Sequence, residues 1–351
     1  MRVLVAGGAG FIGSHTCVSL AAAGHEPVVL DNFCNASPGA VERVSRIIGR
    51  ALPLVRADVR DVESVREALV GNGIDAVVHF AALKSVAAGV ADPLAYMENN
   101  VGGTVALLRA MALAGVGRLV FSSTAMVYST QGGIMPLSES SPLGASNPYG
   151  RTKLMAEQVI SDQCVANPGM SALLLRYFNP VGAHPSGLIG EDPRGVPDNL
   201  MPYIAQVAVG RRDRLRVFGA DWPTHDGTGV RDYLHVMDLA QAHVRAVEAL
   251  ESGASGAKAL NLGTGRGTTV LELVRSFESA SGRRIPYEIV GRRAGDVAEL
   301  WADARSAKEH LGWEAVLGLE RMCEDAWRWQ RANPDGYEST PPVVDQAGIQ
   351  G

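Results

Sequence analysis

Cysteine is scarce in this chain: Cys17, Cys34, Cys164 and Cys323 are spread through 351 residues with no Cys-x-x-Cys spacing. That scatter excludes a disulfide framework and a cysteine-based metal site, and it makes a reducing cytoplasm the expected compartment. No run of about 18 apolar residues occurs, so no membrane-spanning helix is expected. Positive charge is not in excess either. The net charge is −5, which offers no basic face for nucleic acid or for an anionic membrane. A secretory leader is not expected, because Met1-Arg2-Val3-Leu4-Val5-Ala6 runs into Gly7 too soon. What the chain does have is 46% hydrophobic and 20% charged residues, the balance of a soluble globular protein. Its length suggests one large α/β domain with a smaller partner.

The apolar run Arg2–Ala6 stops at Gly7-Gly8-Ala9-Gly10-Phe11-Ile12-Gly13, and a helical pattern follows to Ala23. Strand, glycine turn and helix together form the setting in which backbone approaches a pyrophosphate at a helix N-terminus. A second strand, Glu26–Leu30, ends in Asp31, where a carboxylate can accept hydrogen bonds from an adenosine ribose. The same carboxylate repels a 2′-phosphate, and Asn32-Phe33-Cys34-Asn35 supplies no arginine, so the cofactor expected is NAD rather than NADP. Further strands are read over 51–57, 74–80, 118–122 and 171–176. Helices are read from Asp61, over Pro93–Ala114 and over Pro148–Ala166. This alternation predicts a doubly wound parallel sheet of Rossmann type, with ligands at the C-terminal strand ends. Residues 1–180 form the expected cofactor domain. Residues 181–334, some segments of which can return to the first domain, form a smaller mixed α/β substrate domain, and 335–351 a flexible tail.

Tyr149 and Lys153 stand four residues apart, just after Pro148, and so share one helical face. A phenol with a pKa of about 10 is a poor base at neutral pH. Lowering it to about 7 takes roughly 4 kcal/mol, which a buried ammonium together with a cationic cofactor can supply. Thr124, at the end of the 118–122 strand, adds a hydroxyl that both donates and accepts.

Gly7-x-x-Gly10-x-x-Gly13, Thr124 and Tyr149-x-x-x-Lys153, in that order, resemble the extended short-chain dehydrogenase/reductase superfamily. The runs Asp31–Asn35, Phe80–Val86, Tyr177–Pro185, Pro197–Tyr203 and Asp226–Tyr233 carry a closer resemblance, to the UDP-glucose 4-epimerases, over nearly the whole chain. The resemblance implies a tightly held NAD that accepts and returns a hydride through a 4-keto intermediate, so that UDP-galactose and UDP-glucose interconvert. It makes Tyr149 the base, Thr124 the relay to the sugar O4, and Lys153 the ribose ligand that lowers the Tyr149 pKa. Thr124 stands where most members carry Ser. The residues implied to line NAD are Gly7, Gly10, Phe11, Ile12, Gly13, Asp31, Asn32, Phe33, Cys34, Asn35, Ala36, Asp58, Val59, Phe80, Ala81, Ala82, Leu83, Lys84, Asn99 and Phe178, with Thr124, Tyr149 and Lys153.

For the substrate, the resemblance implies Asn179, Asn199 and Leu200 at the diphosphate and sugar, and Arg216, Val217 and Phe218 at the uracil. Arg231 and Arg293 would hold the diphosphate and Asp296 the nucleotide ribose, with Arg292 competing for the role of Arg293. Leu300 occupies the family's gate beside the sugar and is shorter than the frequent tyrosine. The main pair expected is UDP-glucose and UDP-galactose, with UDP-N-acetyl-hexosamines as an alternative. A 4,6-dehydratase or decarboxylase is disfavoured, because Ala125-Met126 replaces the acidic residues such lyases place there. A silent NAD-binding protein would have no need of Thr124, Tyr149 and Lys153 together. No metal is expected, and a homodimer joined through the 93–114 and 148–166 helices is implied by resemblance.

Overall fold

The computed structural model describes residues 1–129, 135–293 and 295–338. Strand β1 (Arg2–Ala6) buries its apolar run and ends at Gly7, whose φ of +80° needs glycine. Helix α1 (Phe11–Ala22) starts from Gly10 as its N-cap, with no side-chain cap. There follow β2 (Glu26–Asp31), α2 (Pro38–Ile48), β3 (Leu54–Arg56), α3 (Val62–Gly71), β4 (Ala76–His79) and α4 (Val86–Ala91). Helices α2 and α4 were not anticipated; each opens on a serine cap, Ser37 and Ser85, preceded by loop residues that mask the periodicity. Strands β3 and β4 are shorter than the apolar runs that announce them.

The helix expected over Pro93–Ala114 is interrupted. It runs as α5 (Pro93–Tyr96), a π-helical stretch Met97–Gly102, and α6 (Gly103–Ala114). Side-chain bonds of Asn100 to the Leu83 backbone, 2.8 and 3.0 Å long, hold that wider turn. Strand β5 (Arg118–Thr124), α7 (Pro148–Ala166) and β6 (Ser171–Tyr177) complete the first half. Asn147 caps α7 by accepting from the Gly150 N–H at 2.9 Å, and Pro148 occupies its first turn.

The second half contains β7 (Asn179–Val181), α8 (Leu200–Ala208), β8 (Leu215–Phe218), β9 (Val230–Arg231), β10 (Tyr233–His235), α9 (Val236–Glu251) and β11 (Gly256–Leu262). Then come β12 (Thr268–Thr269), α10 (Val270–Ser281), β13 (Tyr287–Val290), β14 (Glu299–Leu300), α11 (Arg305–Leu311) and α12 (Leu319–Ala332). The main sheet has seven strands in the order β3-β2-β1-β4-β5-β6-β11, and every neighbouring pair in it is parallel. Strand β11 thus returns from the second half to extend the first domain, and α9 returns with it to pack on α1. Strand order reverses between β1 and β4, and such a switch point opens a crevice at the strand ends.

One apolar layer packs α1, α2 and α9 on one face of the sheet, and another packs α3, α6 and α7 on the opposite face. A third core joins α8, β8, α10 and α12 in the smaller body. A small cluster of Ala125, Val127, Tyr128, Leu137, Phe178, Leu300 and Ala302 ties the two bodies at the crevice.

Residues 335–338, expected to belong to a flexible tail, include a docked turn. Asn333 is fully buried, accepting from Arg43 at 2.6 Å and donating to the Gly187 carbonyl at 3.0 Å. The Arg43 guanidinium lies against the rings of Trp329 and Tyr337, which pack on each other. Residues through Glu338 are therefore docked by cation–π and amide contacts, which polar, Pro/Gly-containing composition does not reveal; residues 339–351 lie outside the described residues.

A Cβ at Gly13 would stand 2.4 Å from the Gly7 carbonyl oxygen and 2.8 Å from the Gly8 Cα. Both neighbours are backbone, so Gly13→Ala is expected to cost about 1–3 kcal/mol of stability, read as a lower urea midpoint. An unchanged midpoint would show that the turn can open without loss.

Candidate active site

The glycine turn and Asp31 are built around each other. The Asp31 carboxylate accepts from the Ala9 N–H at 3.0 Å and from the Phe33 N–H at 2.8 Å, which fixes the turn against the end of β2. Burial raises its pKa, and those two amides pull it back down. The first-turn amides of α1 have no side-chain cap, as an anion site requires. Gly7 lets the chain pass Ala81, whose N would lie 2.6 Å from a Cβ there. These features fit a dinucleotide lying from β2 across the glycine turn.

The Asn32–Ala36 loop is fastened by groups the sequence reading missed. Phe33 has a φ of +58°, and the Arg56 guanidinium lies 5.7 Å from its ring centre. Arg194 donates to the carbonyls of Cys34 and Ala36 at 2.8 and 2.9 Å. Arginines do approach this loop, but through the aromatic ring and the backbone rather than at Asp31. Asp58 receives Asn32 at 3.0 Å and a fork from Arg60, which holds its carboxyl well below the usual carboxylate range. Val59 and Phe178 are buried, while Cys34, Asn35 and Lys84 are exposed.

At the C-terminal end of β5 the three expected catalytic residues meet. Lys153 is 3% exposed, donates to the Ser122 carbonyl at 2.7 Å, and stands over the Phe121 ring. Burial draws its pKa down to about 7, and the Glu157 carboxylate opposes that shift. Tyr149 is partly buried and bonded to the Thr124 hydroxyl; its pKa is pushed up to about 12 by burial, with Thr124 pulling it down. The Thr124 Oγ1 also accepts from the Met126 N–H at 3.2 Å. Without cofactor, then, the phenol is a weaker acid than free tyrosine, contrary to a lysine acting alone. Desolvation outweighs the Thr124 hydrogen bond at the phenol.

Two further partners went unread. The Ser122 hydroxyl pairs with the Tyr177 hydroxyl beside Tyr149. Asn100, and not only its neighbour Asn99, ties the crevice together. It accepts from Asn99 at 3.0 Å, holds the Leu83 backbone, and donates to Thr152 on α7 at 3.0 Å. Two adjacent asparagines in a helical pattern were the available signal, because amides are neutral to unfavourable in helix interiors.

On the substrate side, Arg293 and Arg231 converge on Asp296. Arg293 donates to it at 2.9 Å, and the Arg231 Nη2 lies 3.8 Å away. Arg292 turns elsewhere, to Asp221 at 2.8 Å and over the Trp222 ring. Of the two adjacent arginines, Arg293 is thus the one that packing brings to Asp296 beside Arg231. The Phe218 ring lies between the Arg216 and Arg293 guanidinium groups, 5.5 and 5.6 Å from its centre. Val217 is buried in β8, while Arg216 is exposed and reaches towards Glu288. Asn199 and Lys84 share the Glu191 Oε1, at 2.8 and 3.1 Å. Asn179 is partly buried at the start of β7, and its N–H donates to the Asp232 carbonyl. Leu200 opens α8. Leu300, 9% exposed, packs in the cluster that contains Phe178 and pairs with Arg231 across β14 and β9.

The lowered pKa of Lys153 has a measurable consequence. A lysine in the unfolded chain titrates near 10.4, so between about pH 7 and 10 the unfolded state holds a proton the folded state has released. The stability contributed by this group therefore rises with pH across that window. In cofactor-free protein, Lys153→Met is expected to be more stable than the parent near pH 7, with the gap between their urea midpoints closing towards pH 9. A gap independent of pH would show that the folded protein keeps the proton.

A family model described as the NAD-dependent epimerase/dehydratase family matches residues 3–263. The UDP-glucose 4-epimerase of Bacillus subtilis is 55% identical over 97% of this chain and 99% of its own length. That of Mus musculus is 50% identical over 96% and 98%. Among solved structures, the Stenotrophomonas maltophila UDP-glucose 4-epimerase with bound NAD and formylated UDP-arabinopyranose superposes with a TM-score of 0.93 at 52% identity, covering 95% of this chain and 99% of that one. The Bifidobacterium longum enzyme in complex with NAD+ and UDP gives 0.92 at 46% identity, covering 96% and 100%. The chain belongs to the NAD-dependent epimerase/dehydratase family and, within it, to the UDP-glucose 4-epimerases.

Proposed function

We propose that this protein interconverts UDP-galactose and UDP-glucose by inverting C4 through a 4-keto sugar, with NAD held throughout. The observation that carries the reading is the meeting of Thr124, Tyr149 and Lys153 at the end of β5, two strands from β1 and its glycine turn. NAD, when bound, supplies a two-electron acceptor that is reduced and reoxidised within each turnover, together with a positive charge beside the phenol. Tyr149 then takes the proton of the sugar O4, and the Thr124 hydroxyl relays it, since it can donate to one oxygen while accepting from another. Lys153 holds the nicotinamide ribose hydroxyls and, once charged, stabilises the phenolate. The keto sugar turns within the crevice, and Tyr149 returns the proton after hydrogen is restored to the opposite face.

The UDP moiety has its chemistry in the second body. Arg231 and Arg293 suit the diphosphate, where a planar guanidinium fork matches phosphate oxygens. Asp296, which pairs with both in this structure, would turn to the ribose hydroxyls when phosphate takes its place. Asn179, Asn199 and Leu200 border the diphosphate and sugar, and Arg216–Phe218 the uracil. Leu300 beside Phe178 sets the room at the sugar. A leucine there suits hexoses and leaves space for some N-acetyl-hexosamine turnover.

The assembly proposed is a homodimer, and the exposure of Leu94, Leu113, Met155 and Val165 on α5, α6 and α7, at 77%, 67%, 46% and 83%, supports it. Sedimentation velocity is expected to give twice the chain mass, and Met155→Glu to shift it towards one; a monomer at micromolar concentration would remove the dimer. Among the described residues no helix is long and apolar enough to cross a membrane.

Incubating the purified protein with UDP-galactose and no added cofactor is expected to yield UDP-glucose without net NADH. Tyr149→Phe should retain NAD and lose at least about 100-fold in kcat. Steady NADH production would indicate a dehydrogenase, and a 4-keto-6-deoxy sugar a dehydratase. UDP-N-acetylglucosamine in the same assay reads the Leu300 gate, and no trace of product would confine the enzyme to hexoses.

A further inference from the structure

Below the Tyr149/Lys153 pair the same helix carries a buried charge that the mechanism leaves unused. Glu157 follows Lys153 by four residues on α7 and is 4% exposed. Arg176 grips its carboxylate with both arms, Nε to Oε1 at 2.9 Å and Nη2 to Oε2 at 2.6 Å. The Ser123 hydroxyl donates to the same Oε1. Ser123 immediately precedes Thr124 on β5, and Arg176 immediately precedes Tyr177 on β6. Arg176 is held in turn by the Tyr128 hydroxyl at 3.1 Å, which donates to Asn261 of β11 at 2.6 Å. One carboxylate thus fastens the helix bearing Tyr149 and Lys153 to the strand bearing Thr124. A buried ion pair gives a fold little that well-packed apolar residues could not. Its place here calls for another reason.

We infer that Glu157 is a positioning residue for this reaction: its bonds to Arg176 and Ser123 set the distance between Tyr149 and Thr124, and its carboxylate stands one helical turn from Lys153. The inference rests on the roles proposed above for Thr124, Tyr149 and Lys153. Burial acts to strip the Lys153 proton, and Glu157 is the charge that opposes it. The other groups facing this pocket do not replace it. His79 on β4 is kept neutral by burial, with a pKa of about 3. Asn100 on the π-helical turn carries no charge. From β5 come only the Phe121 ring and the Ser122 carbonyl. From β6 come Tyr177, whose pKa burial raises, and Arg176, a cation committed to Glu157.

The test measures kcat and KM for UDP-galactose on the holoenzyme from about pH 6 to 10, with bound NAD quantified in each variant. Glu157→Gln is expected to lower kcat about 10- to 100-fold, with KM changed less than about threefold and NAD retained. The alkaline limb of its profile moves to lower pH, because Lys153 without its anion sheds the proton sooner. Glu157→Asp keeps the charge on a shorter arm, so it should lower kcat while leaving that limb in place. A folded Glu157→Gln with parental kcat and the parental alkaline limb would overturn the inference, as would a loss that only tracks lost NAD. If Glu157→Gln does not fold, Ser123→Ala decides, since it removes one anchor without stranding a charge. It should lower kcat by about three- to tenfold at unchanged KM, and parental kcat in it overturns the inference. Tyr149→Phe, run alongside, separates the two readings: if it stays active, the assignment of the base fails, whatever Glu157 does.

Discussion

The bond from the Lys153 ammonium to the Ser122 carbonyl, 2.7 Å long and sealed from water, is the constraint on which the site depends. An ammonium taken out of water is costly unless hydrogen bonds and opposite charge compensate. Here one carbonyl, the Phe121 ring and the more distant Glu157 compensate only in part, and the lysine sits near the point of losing its proton. Tyr149 is in the complementary position, its proton held tightly by the same dry surroundings. Such a pair is unready by itself. In the function proposed, ribose hydroxyls on the lysine and a cationic ring beside the phenol would supply what both lack, so that cofactor binding would also activate the phenol.

Sheet topology makes that convergence possible. Parallel strands place all their C-terminal ends on one edge, and the reversal between β1 and β4 opens that edge into a crevice. Gly7, Asp31, Thr124 and Tyr177 come from four strand ends or the turns just beyond them, and α7 lays Tyr149 and Lys153 across the same edge. The π-helical stretch at Met97–Gly102 serves this arrangement: it turns Asn100 so that a single amide spans the Leu83 loop and Thr152 of α7. Irregular turns are tolerated where side chains take over the backbone's bonds.

The second body meets the crevice with groups already paired among themselves. Asp296 draws Arg231 and Arg293 together, and Glu191 draws Lys84 and Asn199. Each carboxylate holds cationic or amide groups in place. Asp296 thereby holds two guanidinium groups near each other despite their like charge.

Much of this was legible in the chain. The glycine turn between strand and helix, the acid ending β2, and the Tyr-x-x-x-Lys step on a helix opened by Asn147-Pro148 are local patterns. Backbone conformation and helical periodicity fix them within a few residues. The parallel sheet followed from the alternation of elements for the same reason. Other features had no local signature: β11 and α9 rejoining the first domain, the docking of Asn333–Glu338, Arg293 rather than Arg292 at Asp296, and Glu157 gripped by Arg176. Most of those are contacts between residues 19 to 290 positions apart, and packing selects even the near one, since Asp221 and Trp222 draw Arg292 away while Arg293 reaches Asp296. The pKa values are the clearest case. The sequence determined that a phenol and an ammonium share a helical face. The tertiary structure decided that the ammonium is buried and the phenol partly so, because desolvation depends on everything that surrounds a group and not on its neighbours along the chain.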